Sequence, residues 1–278
     1  MKIDGASAAS PALADDAALL VEDAAARFAN GDLSGAVEAY QRALQIRPDH
    51  FEAWNNLGTA QADVGRLDEA VRCFQTAVEL QPEAHQAWYN LGFAHAGRGD
   101  QIAAVEAYLR AATLDGGDYE TWYNLGSAYL DLGRLEDAVQ AFQASLGRHD
   151  GDFDVWNNLG NALMQLDRRA DAEQCFRRAL ALNPNYDLAW NNLGNVLEES
   201  GAVIEAQEAF GKAVELDPSH AIYRINLASA LARGGRDDDA VDHLARAVAL
   251  APEIRSLLPG FAEFAPLLDH PLLLTADE

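Results

Sequence analysis

The side chains best suited to nucleophilic or metal chemistry in this sequence are seven histidines and two cysteines. Metal sites and nucleophile–base pairs need such residues close together, and no histidine stands at ligand spacing from a cysteine. We therefore expect structural or surface roles for the histidines. Cys73 and Cys175 are too few for a disulfide framework, and we interpret each as a small buried hydrophobe beside the ring that follows it.

A second place where chemistry could reside is the run Asp150, Asp152 and Asp154, which resembles the start of a calcium loop. Such a loop needs a glycine at its sharp turn and a bidentate glutamate at its end. Val155 and Asn161 stand at those two positions, so we interpret the run as an acidic connection. The sequence also contains no glycine-rich phosphate loop. We predict that the chain is not an enzyme and binds no cofactor or metal ion.

The acidic composition restricts the classes of partner. The 278 residues include 44 acidic and 20 basic side chains, which give a formal net charge of −24. A negative field of this size repels phosphate backbones and anionic lipid surfaces. We therefore expect neither nucleic acid nor a membrane as a partner, and we expect a preference for proteins or peptides with basic residues.

The termini and the amino-acid composition indicate where in the cell the protein is found and what its source is. No apolar run reaches the roughly 18 residues of a membrane-spanning helix. Residues 1–16 form an Ala/Ser/Pro-rich tail without the apolar centre of a signal peptide. We expect this tail to be disordered and the protein to be cytoplasmic. Only two lysines accompany 18 arginines, a bias that favours a bacterial source.

The tryptophans indicate an internal repeat. All five are 34 residues apart, at Trp54, Trp88, Trp122, Trp156 and Trp190. The same spacing divides the chain into seven units that begin at residues 17, 51, 85, 119, 153, 187 and 221. A period of this length indicates stacked structural repeats, in place of the two compact domains that the chain length alone would suggest.

Each unit predicts a pair of antiparallel helices. The tryptophan is followed three and four residues later by leucine and glycine, as in Leu57 and Gly58, which share one helical face with it. Later in the unit an alanine, a ring and a second small residue share a face, as in Ala70, Phe74 and Ala77. A turn signal separates the two segments, and a proline ends most units because it cannot continue a helix.

The glycine in the first helix implies a close contact between helices. Glycine inside a helix costs about 1 kcal/mol relative to alanine, yet five units have it at the same position. A neighbouring helix must therefore approach closely there. We expect the alanine of the second helix, such as Ala70, to make this contact.

Together these positions resemble the tetratricopeptide repeat (TPR) family over residues 17–252. The resemblance implies an all-α fold, a right-handed superhelix (α-solenoid) of seven helix hairpins with a concave groove. The terminal units depart from the pattern, as end repeats do, and Arg224 replaces the tryptophan of the seventh. We interpret residues 253–278 as a capping helix and a tail, which Pro259 and Pro266 would divide into short pieces.

An asparagine follows the tryptophan position by two residues in six units. We call these residues the asparagine ladder: Asn56, Asn90, Asn124, Asn158, Asn192 and Asn226. In the TPR family this position faces the groove, and the pattern is similar to the superhelical repeats of O-GlcNAc transferases without their catalytic domain. The resemblance implies that the amides bind an extended peptide backbone, since an amide both donates and accepts hydrogen bonds. Alternatively, the amides bond a neighbouring helix and fix the repeat geometry, and both roles can hold.

Aromatic and acidic residues accompany the ladder. The aromatic candidates are Tyr89, Phe93 and Tyr123, which offer apolar area and hydrogen bonds to a ligand. The acidic candidates are Glu52, Glu120, Asp131 and Asp154. Chaperone-binding members of the family have lysines and arginines in the groove that clamp a C-terminal carboxylate, and this clamp is absent here.

The sequence therefore favours a non-enzymatic protein–protein interaction scaffold that binds an extended, basic or neutral peptide segment. Two alternatives stay open. In the first, the chain forms a homo-oligomer through its repeat ends or its C-terminal segment. In the second, it recruits substrate for a separately encoded enzyme.

Overall fold

The computed structural model describes residues 11–274, and this part of the chain contains helices and no β-strand. The long helices are α1 (Pro11–Ala29), α2 (Leu33–Ile46), α3 (Phe51–Asp63), α4 (Leu67–Leu80), α5 (His85–Gly97), α6 (Gln101–Leu114), α7 (Tyr119–Asp131), α8 (Leu135–Leu146), α9 (Phe153–Gln165), α10 (Arg169–Leu182), α11 (Asp187–Glu199), α12 (Val203–Leu216), α13 (Ala221–Arg233) and α14 (Asp237–Leu250). Within that range, none of them has the length and apolar character that crossing a lipid bilayer requires. The all-α prediction is confirmed.

The helices form two compact units. Unit 1 contains α1–α8 and ends at Arg148, and unit 2 begins at His149 and contains the remaining elements. Within each unit, the two helices of a hairpin pack on one another and on the next hairpin. Hairpins two to seven begin at the residues where the sequence units begin. The first helix differs, because it starts at Pro11, before residue 17. Residues 1–10 of the expected tail lie outside the described range.

The helical glycine is covered by an aromatic ring. A Cβ atom on Gly58 would lie 2.6 Å from the Phe74 ring, and one on Gly194 would lie 2.5 Å from the Phe210 ring. Both rings belong to the second helix of the same hairpin. The three atoms nearest to each Cβ position belong to this ring, which stands four residues after the alanine, such as Ala70, that we expected to make the contact.

Each tryptophan connects its helix to the end of the preceding unit. The indole Nε1 of Trp54 donates to the Pro48 carbonyl at 2.8 Å, and that of Trp190 donates to the Pro184 carbonyl at the same distance. The other three tryptophans make this bond at the equivalent positions. The bond therefore fixes the connection between the second helix of one unit and the first helix of the next.

Arg224, which stands at the tryptophan position of the seventh unit, makes the same connection. Its Nε and Nη2 atoms donate to the Pro218 carbonyl at 3.0 and 2.7 Å. The side chain is buried. The departure from the repeat pattern therefore replaces the single indole N–H by two guanidinium N–H groups and preserves the contact with the carbonyl.

We expect Arg224→Ala to lower the free energy of unfolding by about 1.5–3 kcal/mol, the usual net contribution of a hydrogen bond from a charged group. Arg224→Trp should preserve the stability of the parent, because the indole N–H replaces the guanidinium donor. Thermal and urea unfolding of the two variants provide the measurement. A tryptophan variant as unstable as the alanine variant would contradict this equivalence.

The chain after α14 consists of short turns and not of one capping helix. Three 3₁₀ turns (Pro252–Ser256, Leu258–Gly260 and Ala262–Leu267) precede the short helix α15 (Pro271–Leu274). Pro259 and Pro266 lie inside the second and third turns. The prolines interrupt the segment, as we expected, because proline removes a backbone donor and clashes with the preceding helical turn.

These turns nonetheless cover the last hairpin. They pack against α13 and α14, and Leu258 and Phe264 within them are buried. Glu263 accepts a hydrogen bond from the Ser229 hydroxyl and lies 3.3 Å from the Arg233 guanidinium. The segment is therefore attached to α13 by apolar and polar contacts together.

Candidate functional site

The asparagine ladder lies on the first helix of each hairpin. Asn56, Asn90 and Asn124 are on α3, α5 and α7 of unit 1, and Asn158, Asn192 and Asn226 are on α9, α11 and α13 of unit 2. All six side chains are half-buried. We call the surface around each set of three the ladder face of its unit, and each face is described by itself.

In unit 1 the ladder bonds successive hairpins to each other. Nδ2 of Asn90 donates to Oδ1 of Asn55 at 3.0 Å. Nδ2 of Asn124 donates to the Tyr89 hydroxyl at 3.1 Å. In both bonds the acceptor is the residue that precedes the ladder position in the previous hairpin. The amide orientation is therefore set before any ligand arrives.

Unit 2 repeats this arrangement. Nδ2 of Asn192 lies 2.9 Å from Oδ1 of Asn157 and 3.1 Å from Oδ1 of Asn161. Nδ2 of Asn226 lies 2.8 Å from Oδ1 of Asn191. The amides that accept these bonds form a second row on the same helices, and Asn157 and Asn191 in that row are buried.

These bonds show that ladder amides connect neighbouring hairpins. This is the second role that the sequence allowed, in which the amides fix the repeat geometry. Of the two remaining members, Asn56 interacts with the Tyr40 hydroxyl of α2, and Asn158 accepts from Nδ2 of Asn157, its neighbour on the same helix, at 3.4 Å, so that bond does not connect hairpins. Sequence reasoning missed the second row, although asparagine recurs one residue before the ladder at 55, 157 and 191. Peptide binding by the ladder stays a prediction.

The aromatic candidates differ in exposure. Tyr89 is half-buried and packs on the Tyr108 ring with a centroid distance of 6.0 Å. Tyr123 is half-buried and packs on the Phe142 ring at 6.2 Å. Phe93, one turn after Tyr89 on α5, is 55% exposed. Of these three residues, Phe93 therefore offers the largest exposed fraction to a ligand.

The acidic candidates are distributed over both units. Glu52, Glu120 and Asp131 are exposed in unit 1, and Asp154 is half-buried in unit 2. Asp131 accepts a hydrogen bond from Gln101 at 2.9 Å, and Glu52 lies 3.0 Å from His50.

Unit 1 brings two of the predicted site residues together. Glu120 and Tyr89 both line a cavity of about 420 Å³. Asp115 and Asp118 line the same cavity, and neither was singled out from the sequence. Burial raises the pKa of the Tyr89 hydroxyl, and the negative charge of Glu120 contributes. Tyr89 therefore stays protonated at neutral pH and can donate a hydrogen bond.

The acidic run and the cysteines have structural explanations. Asp152 caps α9 by accepting hydrogen bonds from the backbone N–H groups of Asp154 and Val155 at 2.9 and 3.4 Å. The Asp150 carboxylate lies 3.5 Å from the Arg178 guanidinium. Both cysteines are buried, as predicted, and burial raises the pKa of each thiol to about 11. Neither thiol is therefore ionised at neutral pH, where the thiolate would be the nucleophile.

Known proteins share this architecture. Residues 5–257 match the family described as the Cilia and flagella-associated protein 70 C-terminal domain. The C-terminal part of a TPR repeat-containing protein from Cytophaga hutchinsonii has a TM-score of 0.70 at 19% identity, over 86% of this chain and 98% of that one. MamA has a TM-score of 0.58 at 25% identity, over 60% and 92%. YrrB, described as a TPR protein with an unusual peptide-binding site, has a TM-score of 0.57 at 24% identity, over 74% and 98%.

Proposed function

The chain belongs to the tetratricopeptide repeat proteins, in the family described as the Cilia and flagella-associated protein 70 C-terminal domain. We therefore propose that it is a non-enzymatic protein-interaction scaffold. Its ladder faces bind an extended segment of another protein, and that segment is basic or neutral. The observation that carries the proposal is that the same first helices of unit 1 bear amides held in place between hairpins and exposed carboxylates.

The amides supply contacts to a peptide backbone. An asparagine amide has two hydrogens on nitrogen and two lone pairs on oxygen. The bond from Asn90 to Asn55 uses one hydrogen and one lone pair, and Oδ1 of Asn90 also accepts from Gln86 at 3.0 Å, so one hydrogen and one lone pair remain on Asn90 for a ligand. Since the side chains are already oriented, a ligand does not have to immobilise them, and this lowers the entropic cost of binding.

The carboxylates supply the charge preference. Glu52, Glu120 and Asp131 are exposed on first helices of unit 1, and the net charge of the whole chain is −24. Lysine or arginine side chains of a ligand would be attracted to this face, and they would associate faster at low salt. A backbone contact with a charge preference is compatible with many ligand sequences.

The charge preference can be tested without altering the ladder. We avoid ladder substitutions because Asn90 and Asn124 also bond neighbouring hairpins, so their removal would change stability together with binding. Glu120→Lys changes an exposed residue in the first turn of α7, and Glu136→Lys makes the same change in the first turn of α8. Both variants alter the net charge equally, and only the first alters a ladder face.

We expect short lysine-rich peptides to bind the parent more tightly than glutamine-rich or glutamate-rich peptides of equal length. Glu120→Lys should weaken the lysine-rich peptide by about 0.5–1 kcal/mol, the scale of an exposed ion pair, and Glu136→Lys should weaken it less. Fluorescence anisotropy at low and high salt gives the affinities. Equal weakening by both variants, or equal affinity for lysine-rich and glutamate-rich peptides, would refute the proposed site.

A further inference from the structure

A second cavity in unit 1 lies away from the asparagine ladder. It has a volume of about 560 Å³ and is lined by residues of α2, α3 and α4, which include none of the ladder asparagines. Its apolar lining includes Trp54, Leu57 and Leu44. Cys73 also lines it, and burial keeps that thiol protonated. These residues give the cavity a largely apolar lining.

The charged residues around this cavity neutralise each other. Glu69 and Arg72 both line it, and Nη2 of Arg72 lies 2.8 Å from Oε1 of Glu69. The other polar lining residues, such as Gln41 and Thr76, are uncharged. Since the two charges are paired with each other, the described lining has no unpaired charge to attract an ionised ligand group, and a neutral group is favoured.

One buried polar atom beside this cavity lacks a partner among the described residues, and it belongs to a residue that lines the cavity. The Gln61 side chain lines the cavity and is only 3% exposed, and its Oε1 atom accepts no hydrogen bond from the described part of the chain. A buried acceptor without a donor is costly, and nearly all such atoms in folded proteins are satisfied. Within residues 11–274, Oε1 of Gln61 therefore lacks a hydrogen-bond donor.

The fold does not require a glutamine at this position. Unit 2 has an equivalent cavity of about 490 Å³ between α10 and α12, in which Trp190 and Leu193 take the places of Trp54 and Leu57. There the place of Gln61 is taken by Leu197, which is buried. A buried leucine therefore fits this position of the repeat, so packing alone does not explain why unit 1 has a glutamine there.

We propose that the unit 1 cavity is a binding site for the indole side chain of a tryptophan from a partner protein. The indole has an apolar body that suits Trp54, Leu44 and Leu57, it is neutral, and its nitrogen is a donor only. The indole N–H donates to Oε1 of Gln61. The terminal torsion of a glutamine side chain is broad, so the amide can turn its oxygen toward the entering group. This site is separate from the ladder face, so either can fail without the other.

Two isomeric probes test the site. 3-Methylindole represents the tryptophan side chain and has the N–H, whereas 1-methylindole has the same size and lacks it. The indole N–H resonances of Trp54 and Trp190, assigned with tryptophan-to-phenylalanine variants, report on the two equivalent cavities during an NMR titration. We expect 3-methylindole to shift the Trp54 resonance with a dissociation constant about three- to tenfold lower than that of 1-methylindole, the worth of one net hydrogen bond. The Trp190 resonance should show no such preference.

Two variants connect the preference to Gln61. Gln61→Leu introduces the residue that unit 2 has at this position, and Gln61→Met keeps the length of the glutamine without its acceptor. In both variants the difference between the isomers should disappear, while the melting temperature stays unchanged or rises because the unpaired acceptor is gone. Equal affinity of the parent for the two isomers, a preference that persists in both variants, or no binding of either probe would overturn the proposal.

Discussion

Truncation of the chain before Ser256 will lower its melting temperature and cause it to aggregate. The removed segment contributes Leu258, Phe264, Leu267 and Leu273 to the buried core, and it covers α13 and α14. Without it, the last hairpin exposes an apolar side to solvent, and repeat proteins need a terminal cap to remain soluble. Circular dichroism melts and light scattering of the truncated chain measure both effects.

Point variants separate this capping effect from general damage. Phe264 is fully buried, and Phe264→Ala should cost about 3–5 kcal/mol of stability, as other buried phenylalanines do. Leu257 in the same segment is 59% exposed, so Leu257→Ala should change the stability by less than about 0.5 kcal/mol. If the truncated chain stays monomeric and melts like the parent, the segment is not a cap.

The second large effect concerns two glycines in neighbouring helices. A Cβ atom on Gly194 of α11 would lie 2.5 Å from the Phe210 ring, whereas a Cβ atom on Gly211 of α12 would meet nothing within 4 Å. Gly194→Ala should therefore destabilise the protein by about 1–3 kcal/mol through overpacking. Gly211→Ala should stabilise it by about 0.5–1 kcal/mol, because alanine is the better helix former.

Urea unfolding of the two alanine variants measures this contrast. The chemical change is the same in both, so a difference in sign between the two variants reports the ring contact. If both substitutions stabilise the protein, the Phe210 ring has room to move aside and the close contact does not explain the glycine. If both destabilise it, a property of these helices other than the ring decides the outcome.

The helix hairpins could be predicted from the sequence because every signal that defines them is local. The helical glycine and the terminal proline act within one unit, the tryptophan acts at the boundary with the preceding unit, six residues away, and repetition makes each signal visible several times. The helix starts at Phe51 and at Ala221 lie where the units begin. The start of α1 at Pro11 differs because residues before the first unit have no counterpart in the repeat.

The partners of the side chains could not be predicted in the same way. The repeat pattern gives the position of Gly58, but it does not give the orientation of the Phe74 ring that covers it. Likewise it gives Asn90 a place on a helix, and the acceptor on Asn55 follows only from how two hairpins pack. Arg224 departs from the pattern, and only the structure shows that it makes the bond of a tryptophan.

The tryptophans also determine what intrinsic fluorescence can report about this protein. Hairpins two to six each contain one indole, which donates to a backbone carbonyl in a repeated setting. The first and seventh hairpins contain none. Trp54 packs against the core of the first hairpin, so emission registers that end through Trp54, whereas the seventh hairpin contributes no indole of its own. If the seventh hairpin opens first on heating, an emission melt lags behind a circular dichroism melt, and the interval between the two curves measures how far that hairpin opens on its own.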